Sequence, residues 1–272
     1  MRKLLVVFAL LCVVSTSVPA ASPIGYTLTD LGEMFNSGTT FGAKDINESG
    51  QVALNLDGIA YIWDDGNLSP VGGLLNNNTS FAINDDGDLT WTYNLRAQYY
   101  NGVSQTQLPT LGNDDGLTSG WDINIHDHIV GTSRVSTINA TRGYVWDGTT
   151  MTDLGSLPGE PNGDSRGLGI NDAGVIVGEG GDTGVPVRWV GGMIEELPRA
   201  PLDGLVRGAA EDINEAGQIA GTLLNSSVSG GMAAKWEADG TLEQLGRLAG
   251  HGYSRAEAIN ELGDVVGWST PV

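Results

Sequence analysis

The dipeptide Ile-Asn returns six times along this chain, at Ile46-Asn47, Ile83-Asn84, Ile123-Asn124, Ile170-Asn171, Ile213-Asn214 and Ile259-Asn260. Successive copies stand 37, 40, 47, 43 and 46 residues apart. A period of this length is the mark of a propeller or a solenoid, in which each unit buries its apolar face only against its neighbours. In most copies the asparagine opens a four-residue turn closed by glycine, as in Asn47-Glu48-Ser49-Gly50, Asn84-Asp85-Asp86-Gly87 and Asn171-Asp172-Ala173-Gly174. Asn first and Gly fourth suit a type I turn closed by a left-handed residue, the three-residue hairpin with a G1 bulge. The third copy, Asn124-Ile125-His126-Asp127-His128, is read as setting a histidine where the glycine is expected.

Each unit offers four short apolar segments. Strands A and B flank the turn, as Phe41 to Ile46 and Gln51 to Leu54 in the first copy and Arg255 to Ile259 and Asp264 to Trp268 in the last. Strand C ends in an aromatic column of Trp63, Tyr100, Trp146, Trp189 and Trp236, followed by Asp-Gly, Asn-Gly or Gly-Gly turns. Strand D carries Leu31, Val71, Leu108, Leu154, Leu197 and Leu245. Four antiparallel strands repeated in this way make a blade. The expected fold is all-β: a β-propeller of about six four-stranded antiparallel blades. The first D strand, Thr27 to Leu31, precedes any A strand, and the sixth copy runs to Val272 with A and B alone. The expectation is that the termini meet in an incomplete last blade.

Residues 1–20 read as a secretory signal: Arg2 and Lys3, an apolar run from Leu4 to Val14, then small residues up to Ala20. The run is too short to cross a bilayer, which takes about 20 residues. Residues 21–272 form the repeat domain, secreted or periplasmic, with no membrane insertion. The only cysteine, Cys12, falls in the leader, so the mature chain has no thiol chemistry. The formal charge of −20, from 13 Lys and Arg against 33 Asp and Glu, argues against nucleic acid and anionic membranes as partners. Forty-one glycines without a collagen period fit a turn-rich β protein.

The unit Met151-Thr152-Asp153-Leu154-Gly155 followed by Ile170-Asn171-Asp172-Ala173-Gly174-Val175-Ile176-Val177-Gly178 resembles the bacterial extracellular HAF repeat family. Gly143-Tyr144-Val145-Trp146 and Ala60-Tyr61-Ile62-Trp63 stand where that family has its His-Ala-Phe-Leu-Trp segment. No copy carries literal His-Ala-Phe, and the second copy is degenerate at Tyr99-Tyr100. The resemblance covers the mature chain and implies an extracellular repeat protein; it implies no reaction.

Function is sought in two places. The A–B and C–D turns lie on one face of a propeller and are short here. The B–C and D–A connections lie on the other face and are expected to be long, for instance Asn55 to Gly58, Ser133 to Arg142, Ser156 to Ser165, Glu179 to Gly184 and Arg199 to Arg207. Variable loops on a rigid scaffold are where binding resides. Strand A offers the second place. Two residues before the asparagine stand Asp45, Asp122 and Asp212 in alternate copies. Three carboxylates approaching one another around the axis must bind a cation such as calcium, accept hydrogen bonds, or hold their protons more tightly.

Other features carry less. Asp85-Asp86-Gly87-Asp88 and Asn113-Asp114-Asp115-Gly116 miss the calcium-loop pattern, and His126 and His128 lack a third ligand nearby. Phe81, Trp91, Tyr93 and Trp121 are sugar-stacking candidates whose commoner role is core. No nucleophile elbow, phosphate loop, dinucleotide fingerprint or metalloprotease helix is present. Catalysis on polysaccharide would need a carboxylate pair, for which Asp57, Asp115, Glu160, Asp164 and Asp182 are available. The leading function class is a noncatalytic module binding a glycan, peptide or surface protein through its loop face, without a cofactor. A structural scaffold or spacer comes second and a polysaccharide-acting propeller enzyme third.

Overall fold

The computed structural model describes residues 41–74, 80–113, 116–200, 204–225 and 230–271. They form 22 strands and one 3-10 turn at Leu111–Asn113. The chain folds as a β-propeller in which consecutive strands pair antiparallel, four to a sheet. Blade one holds β1 (Phe41–Ile46), β2 (Val52–Leu56), β3 (Ile59–Asp64) and β4 (Asn67–Leu74). Blade two holds β5 (Phe81–Ile83), β6 (Leu89–Tyr93), β7 (Arg96–Tyr100) and β8 (Gln105–Gln107). Blade three holds β9 (Thr118–Ile123), β10 (Ile129–Val135), β11 (Ala140–Trp146) and β12 (Met151–Asp153). Blade four holds β13 (Ser165–Ile170), β14 (Ile176–Gly180), β15 (Val185–Val190) and β16 (Met193–Glu196). Blade five holds β17 (Leu205–Ile213), β18 (Ile219–Asn225), β19 (Gly231–Trp236) and β20 (Leu242–Gly246).

Among the described residues the complete blades therefore number five, where about six were expected. The sixth repeat supplies only the hairpin β21 (His251–Ile259) and β22 (Val265–Pro271). It joins the fifth sheet through one parallel bridge, Gly231 to Tyr253. Strand β22 pairs with β21 alone among the described residues, and without a third strand the hairpin does not become a blade. The signal segment, and the first D strand at Thr27 to Leu31, lie outside the described residues.

Apolar residues of successive blades meet between the sheets, so the core lies in the inter-blade layers. Val130 and Leu154 of blade three pack with Ile170, Ile176, Val187 and Trp189 of blade four. Val177 and Leu197 of blade four pack with Ile213, Ile219, Leu223 and Trp236 of blade five. The aromatic column adds hydrogen bonds to these layers: Trp189 Nε1 donates to the Leu154 carbonyl at 2.9 Å, and Trp236 Nε1 to the Pro198 carbonyl at 2.8 Å. Burying the ring while satisfying its N–H is what makes tryptophan suitable here.

A bulge in the inner strand of several blades explains a second recurring residue, the glycine of the B strand. The register of β13 against β14 shifts between Gly167 and Gly169, and β21 against β22 shifts between Ala256 and Ala258. This presses the bulged strand's carbonyl onto its partner. A Cβ at Gly178 would stand 1.9 Å from the Arg166 carbonyl oxygen, and one at Gly267 1.9 Å from that of Arg255. No side chain fits there.

The turns follow the sequence reading, with one correction. Gly50, Gly87, Gly174, Gly217 and Gly263 all have φ between 75° and 85°. In the third copy the left-handed residue is Asp127, at φ 59°, with a histidine on each side of it. Aspartate is one of the few residues besides glycine that visit this conformation, and here its carboxylate accepts from Asn84 Nδ2 of the preceding blade at 3.3 Å. The B–C connections are also shorter than expected. Strand pairing continues to Val135 and resumes at Ala140 in blade three, and only Asp57 and Gly58 join β2 to β3. Backbone hydrogen bonding extends the strands into segments whose residue types suggested loops.

Candidate functional site

On the short-turn face, the repeated asparagine links each blade to the next. Asn47 Nδ2 donates to the Asn84 carbonyl at 2.9 Å, Asn84 to Asn124 at 3.0 Å, Asn124 to Asn171 at 3.1 Å, Asn171 to Asn214 at 3.2 Å and Asn214 to Asn260 at 3.0 Å. The other end of the amide holds the turn. Asn171 Oδ1 accepts from the Val175 N–H, and Asn214 Oδ1 from that of Gln218, at 2.9 and 2.8 Å. An amide side chain carries its donor and its acceptor on separate arms, so it can donate in one direction and accept in the other. A parallel relay uses acidic residues one position later: Asp85 accepts from the Glu48 N–H, Asp172 from that of Ile125, and Glu215 from that of Asp172. At the last unit the series turns inward, with Asn260 Nδ2 donating to Asp264 of its own turn.

The three aspartates of strand A form another layer of the same system. Asp45 Oδ1 accepts from the Ile46 N–H at 2.8 Å and Oδ2 from that of Ile83, in the next blade, at 2.9 Å. Asp122 binds the N–H groups of Ile123 and Ile170, each at 2.8 Å. Asp212 binds those of Ile213 and Ile259, also at 2.8 Å. The next unit carries Ala82, Gly169 or Ala258 at the aspartate position. At Gly169 an added Cβ would lie 3.2 Å from the Asp212 Cα, so there the small residue leaves room for the neighbouring aspartate's own backbone.

Burial raises the proton affinity of these carboxyls, more than their backbone hydrogen bonds lower it. Asp45 and Asp212 are each pushed up to about 6. Asp122 is raised well above the usual carboxylate range, by burial first and then by the negative charges of Asp212 and Asp45. The geometry gives them a different task from the expected cation site: both oxygens of each are bound by backbone N–H groups that staple neighbouring units. Among the described residues no group of three His, Cys, Asp or Glu side chains is placed to hold a metal ion.

The remaining candidates separate. Asp86 and Asp88 donate their N–H groups to Asn84 Oδ1, an ordinary turn. Burial and a hydrogen bond with Asp127 push Asp88 up to about 7. His126 and His128 lie 6.0 Å apart between ring centroids in the turn of blade three. Phe81 and Trp91 stack at 6.2 Å in the core, against which Tyr93 packs, while Trp121 is exposed. Asp57 sits in the turn joining β2 to β3, at φ 47°, and Asp115 lies outside the described residues.

Three of the acidic loop residues do come together, at the junction of blades four and five. The connection after blade three brings Glu160 and Asp164 to the β14–β15 turn. There Glu160 Oε2 accepts from the Asp182 N–H at 2.9 Å, and the Asp164 carbonyl accepts from the Gly181 N–H at 2.8 Å. Gly181 and Gly184 have φ of 78° and 68°. An added Cβ at Gly184 would stand 2.1 Å from Glu179 Oε1, so the carboxylate lies folded over this glycine, whose positive φ is what a larger residue would find strained. The result is a cleft of about 170 Å³ lined by Asp164, Arg166, Glu179, Asp182 and Arg207 among others. Arg166 stands across the sheet from Glu179 at 3.7 Å with half its side chain exposed. Arg207 anchors its Nε on the Thr183 carbonyl. The cleft thus offers carboxylate acceptors and guanidinium donors side by side. A larger depression of about 360 Å³ near Pro198 is lined by Glu196, Arg199 and Val206. Its Arg199 is already tied to Glu196 at 2.5 Å and to the Val206 carbonyl at 2.6 Å.

The sequence reading placed Glu179 and Arg207 at the ends of loop-face segments without giving them a role and passed over Arg166, whereas the structure sets all three within strands. Their position at the loop ends of β13, β14 and β17 is the signal that would have found them.

No protein-family model matches this chain, and neither does any curated protein. Its similarities are to solved structures. The extracellular domain of BT4673 from B. thetaiotaomicron superposes with a TM-score of 0.55 at 12% identity, over 86% of this chain and 31% of the other. A puromycin-hydrolyzing peptidase of Mycobacterium tuberculosis gives a TM-score of 0.54 at 14% identity, over 86% of this chain and 42% of the other. This chain thus spans about a third to two-fifths of the length of those proteins. At such identities the likeness is one of fold, the β-propeller. Among the described residues no helix is long and apolar enough to cross a membrane.

Proposed function

We propose that this protein is an exported, noncatalytic recognition module of the HAF-repeat kind, secreted or periplasmic, which binds a polar group of a surface glycan or peptide on its loop face. The observation that carries the reading is the cleft between blades four and five, where Asp164, Glu179 and Asp182 face Arg166 and Arg207. A small hydrophilic recess with donors and acceptors of both signs suits a hydroxyl-bearing or zwitterionic group. Its volume is below that of pockets that enclose a drug-sized ligand, which favours recognition of one sugar ring or one side chain at a time. The opposite face supports the same assignment, since its turn amides and many of its acidic groups are spent on joining blades. The test is retention of the mature chain on a broad glycan and peptide array, with and without calcium. Saturable binding to a narrow set that Arg166→Ala abolishes supports the reading; no retention on any probe removes it and leaves the scaffold role.

A further inference from the structure

Blade three encloses a positive charge. Arg142, in β11, is 4% exposed, and no other basic side chain among the described residues is so deeply enclosed. Its Nη2 donates to the Pro161 carbonyl, while Nε and Nη1 are buried without a hydrogen-bond partner. Ion pairs among the described residues engage Arg166, Arg188, Arg199, Lys235 and Arg255, but not Arg142. The acceptors around it are turned to other donors. Asp164 Oδ1 holds the Thr141 N–H at 2.8 Å, and Glu160 Oε2 that of Asp182 at 2.9 Å. Ser133, opposite Arg142 in the β10–β11 ladder, accepts from the Leu111 N–H at 3.1 Å.

Charge is what separates Arg142 from the other buried groups that lack a partner. The indoles of Trp63 and Trp91 are neutral, and one water serves a neutral donor. A guanidinium keeps its proton in every protein environment, so its buried charge calls for an opposite charge. Arg255 meets that demand with Glu211 and Glu257, at 3.0 and 2.9 Å. At Arg142 the space limits what can answer it, because the unmet nitrogens lie wholly enclosed beside the turn Glu160 to Gly163, which the Gly163 N–H closes on the Glu160 carbonyl at 2.9 Å. A second buried donor without a partner, Ser156 Oγ, lies against the same turn, 2.7 Å from the Cβ position of Gly163. We propose that Arg142 holds one small inorganic anion, of chloride size, beside this turn, and that the anion ties the connection after blade three to β11. The same connection carries Glu160 and Asp164 to the cleft, so the anion steadies one wall of that cleft from behind. The site stands whether or not the cleft binds anything.

The experiment is thermal unfolding of the mature chain in 0 to 200 mM chloride, with gluconate, too large for the site, holding ionic strength constant. Chloride is expected to raise Tm by about 3 °C and to slow amide exchange across Ser156 to Ser165 about tenfold. Arg142→Met, neutral and of similar length, loses both effects. In crystals soaked in bromide, an anomalous peak is expected within hydrogen-bond distance of Arg142 Nε or Nη1. If the variant does not fold, the wild-type chloride series and the bromide peak decide. Equal Tm in chloride and gluconate overturns the proposal, as does a chloride effect that persists undiminished in Arg142→Met. Bromide found only at other places, or a carboxylate of the chain seated on Arg142, overturns it as well.

Discussion

Asp122 and Ile170 are 48 residues apart in sequence and joined by a 2.8 Å hydrogen bond from backbone to carboxylate. The same carboxylate holds the Ile123 N–H of its own strand, so one side chain fixes the spacing of two blades. Asp45 and Asp212 repeat the arrangement with Ile83 and Ile259. The clamps join units one to two, three to four, and five to the terminal hairpin; the asparagine relay also crosses the junctions between those pairs, where strand A carries no aspartate clamp.

These clamps set an unusual pH dependence. A carboxyl whose folded pKa lies above its unfolded value holds its proton more tightly when folded. Its contribution to stability is complete below about pH 3.8 and is lost as pH rises through about 6, the value reached by Asp45 and Asp212. Acidification from pH 7.5 to 5.5 is therefore expected to raise Tm by roughly 2–4 °C, helped by relief of self-repulsion in an acidic chain. Replacing both aspartates with Asn should flatten that part of the profile. A Tm that falls monotonically from pH 7.5 to 5.5 would contradict the assignment.

The asparagine relay makes a sharper demand. Asn171→Asp removes the donor to the Asn214 carbonyl and sets a negative charge beside it. A loss of about 3 kcal/mol at neutral pH is expected. Protonating the new carboxyl at pH 4.5 restores a donor, so part of the loss should return. Urea unfolding at the two pH values measures both.

Glycines of two kinds should respond differently. Gly178→Ala drives a methyl into the Arg166 carbonyl and is expected to cost about 3 kcal/mol or more. Gly174 has φ of 75° with open space around its Cβ position. Gly174→Asn should cost about 1 kcal/mol or less, because asparagine tolerates the left-handed conformation. Equal losses in the two variants would mean that the close approach in blade four is absent in solution.

At the cleft, Arg166→Ala should abolish retention of any bound glycan or peptide while leaving Tm nearly unchanged, since an exposed ion pair contributes at most about 1 kcal/mol. Arg207→Ala should weaken binding and also loosen the β14–β15 turn, which its Nε bond to the Thr183 carbonyl secures. Parallel binding and melting curves separate the two roles.

The Ile-Asn period, the glycine-closed turns and the Trp and Leu columns made the blade legible, because each is a local requirement of a turn, a strand or a buried ring. Glu160, Asp164 and Asp182 were visible as loop carboxylates in the sequence. Their meeting was not, since it depends on the connection after blade three folding over the next blade's turn. The strand-borne Arg166 and Arg207 were hidden for a similar reason: strand alternation says which face a side chain takes, but not which neighbouring loop closes over it.

The sequence by itself determined the repeat, the all-β class, the turn geometry and the acidic character, all properties of residues within one unit of about 43 positions. Only the tertiary structure decided that the blades number five, that the aspartates staple backbones, and that one cleft gathers donors and acceptors of both signs. The physical reason is range. A turn or a strand is encoded by neighbours a few residues apart. A bond from Asp122 to Ile170 exists only once two sheets have packed at a fixed distance and angle.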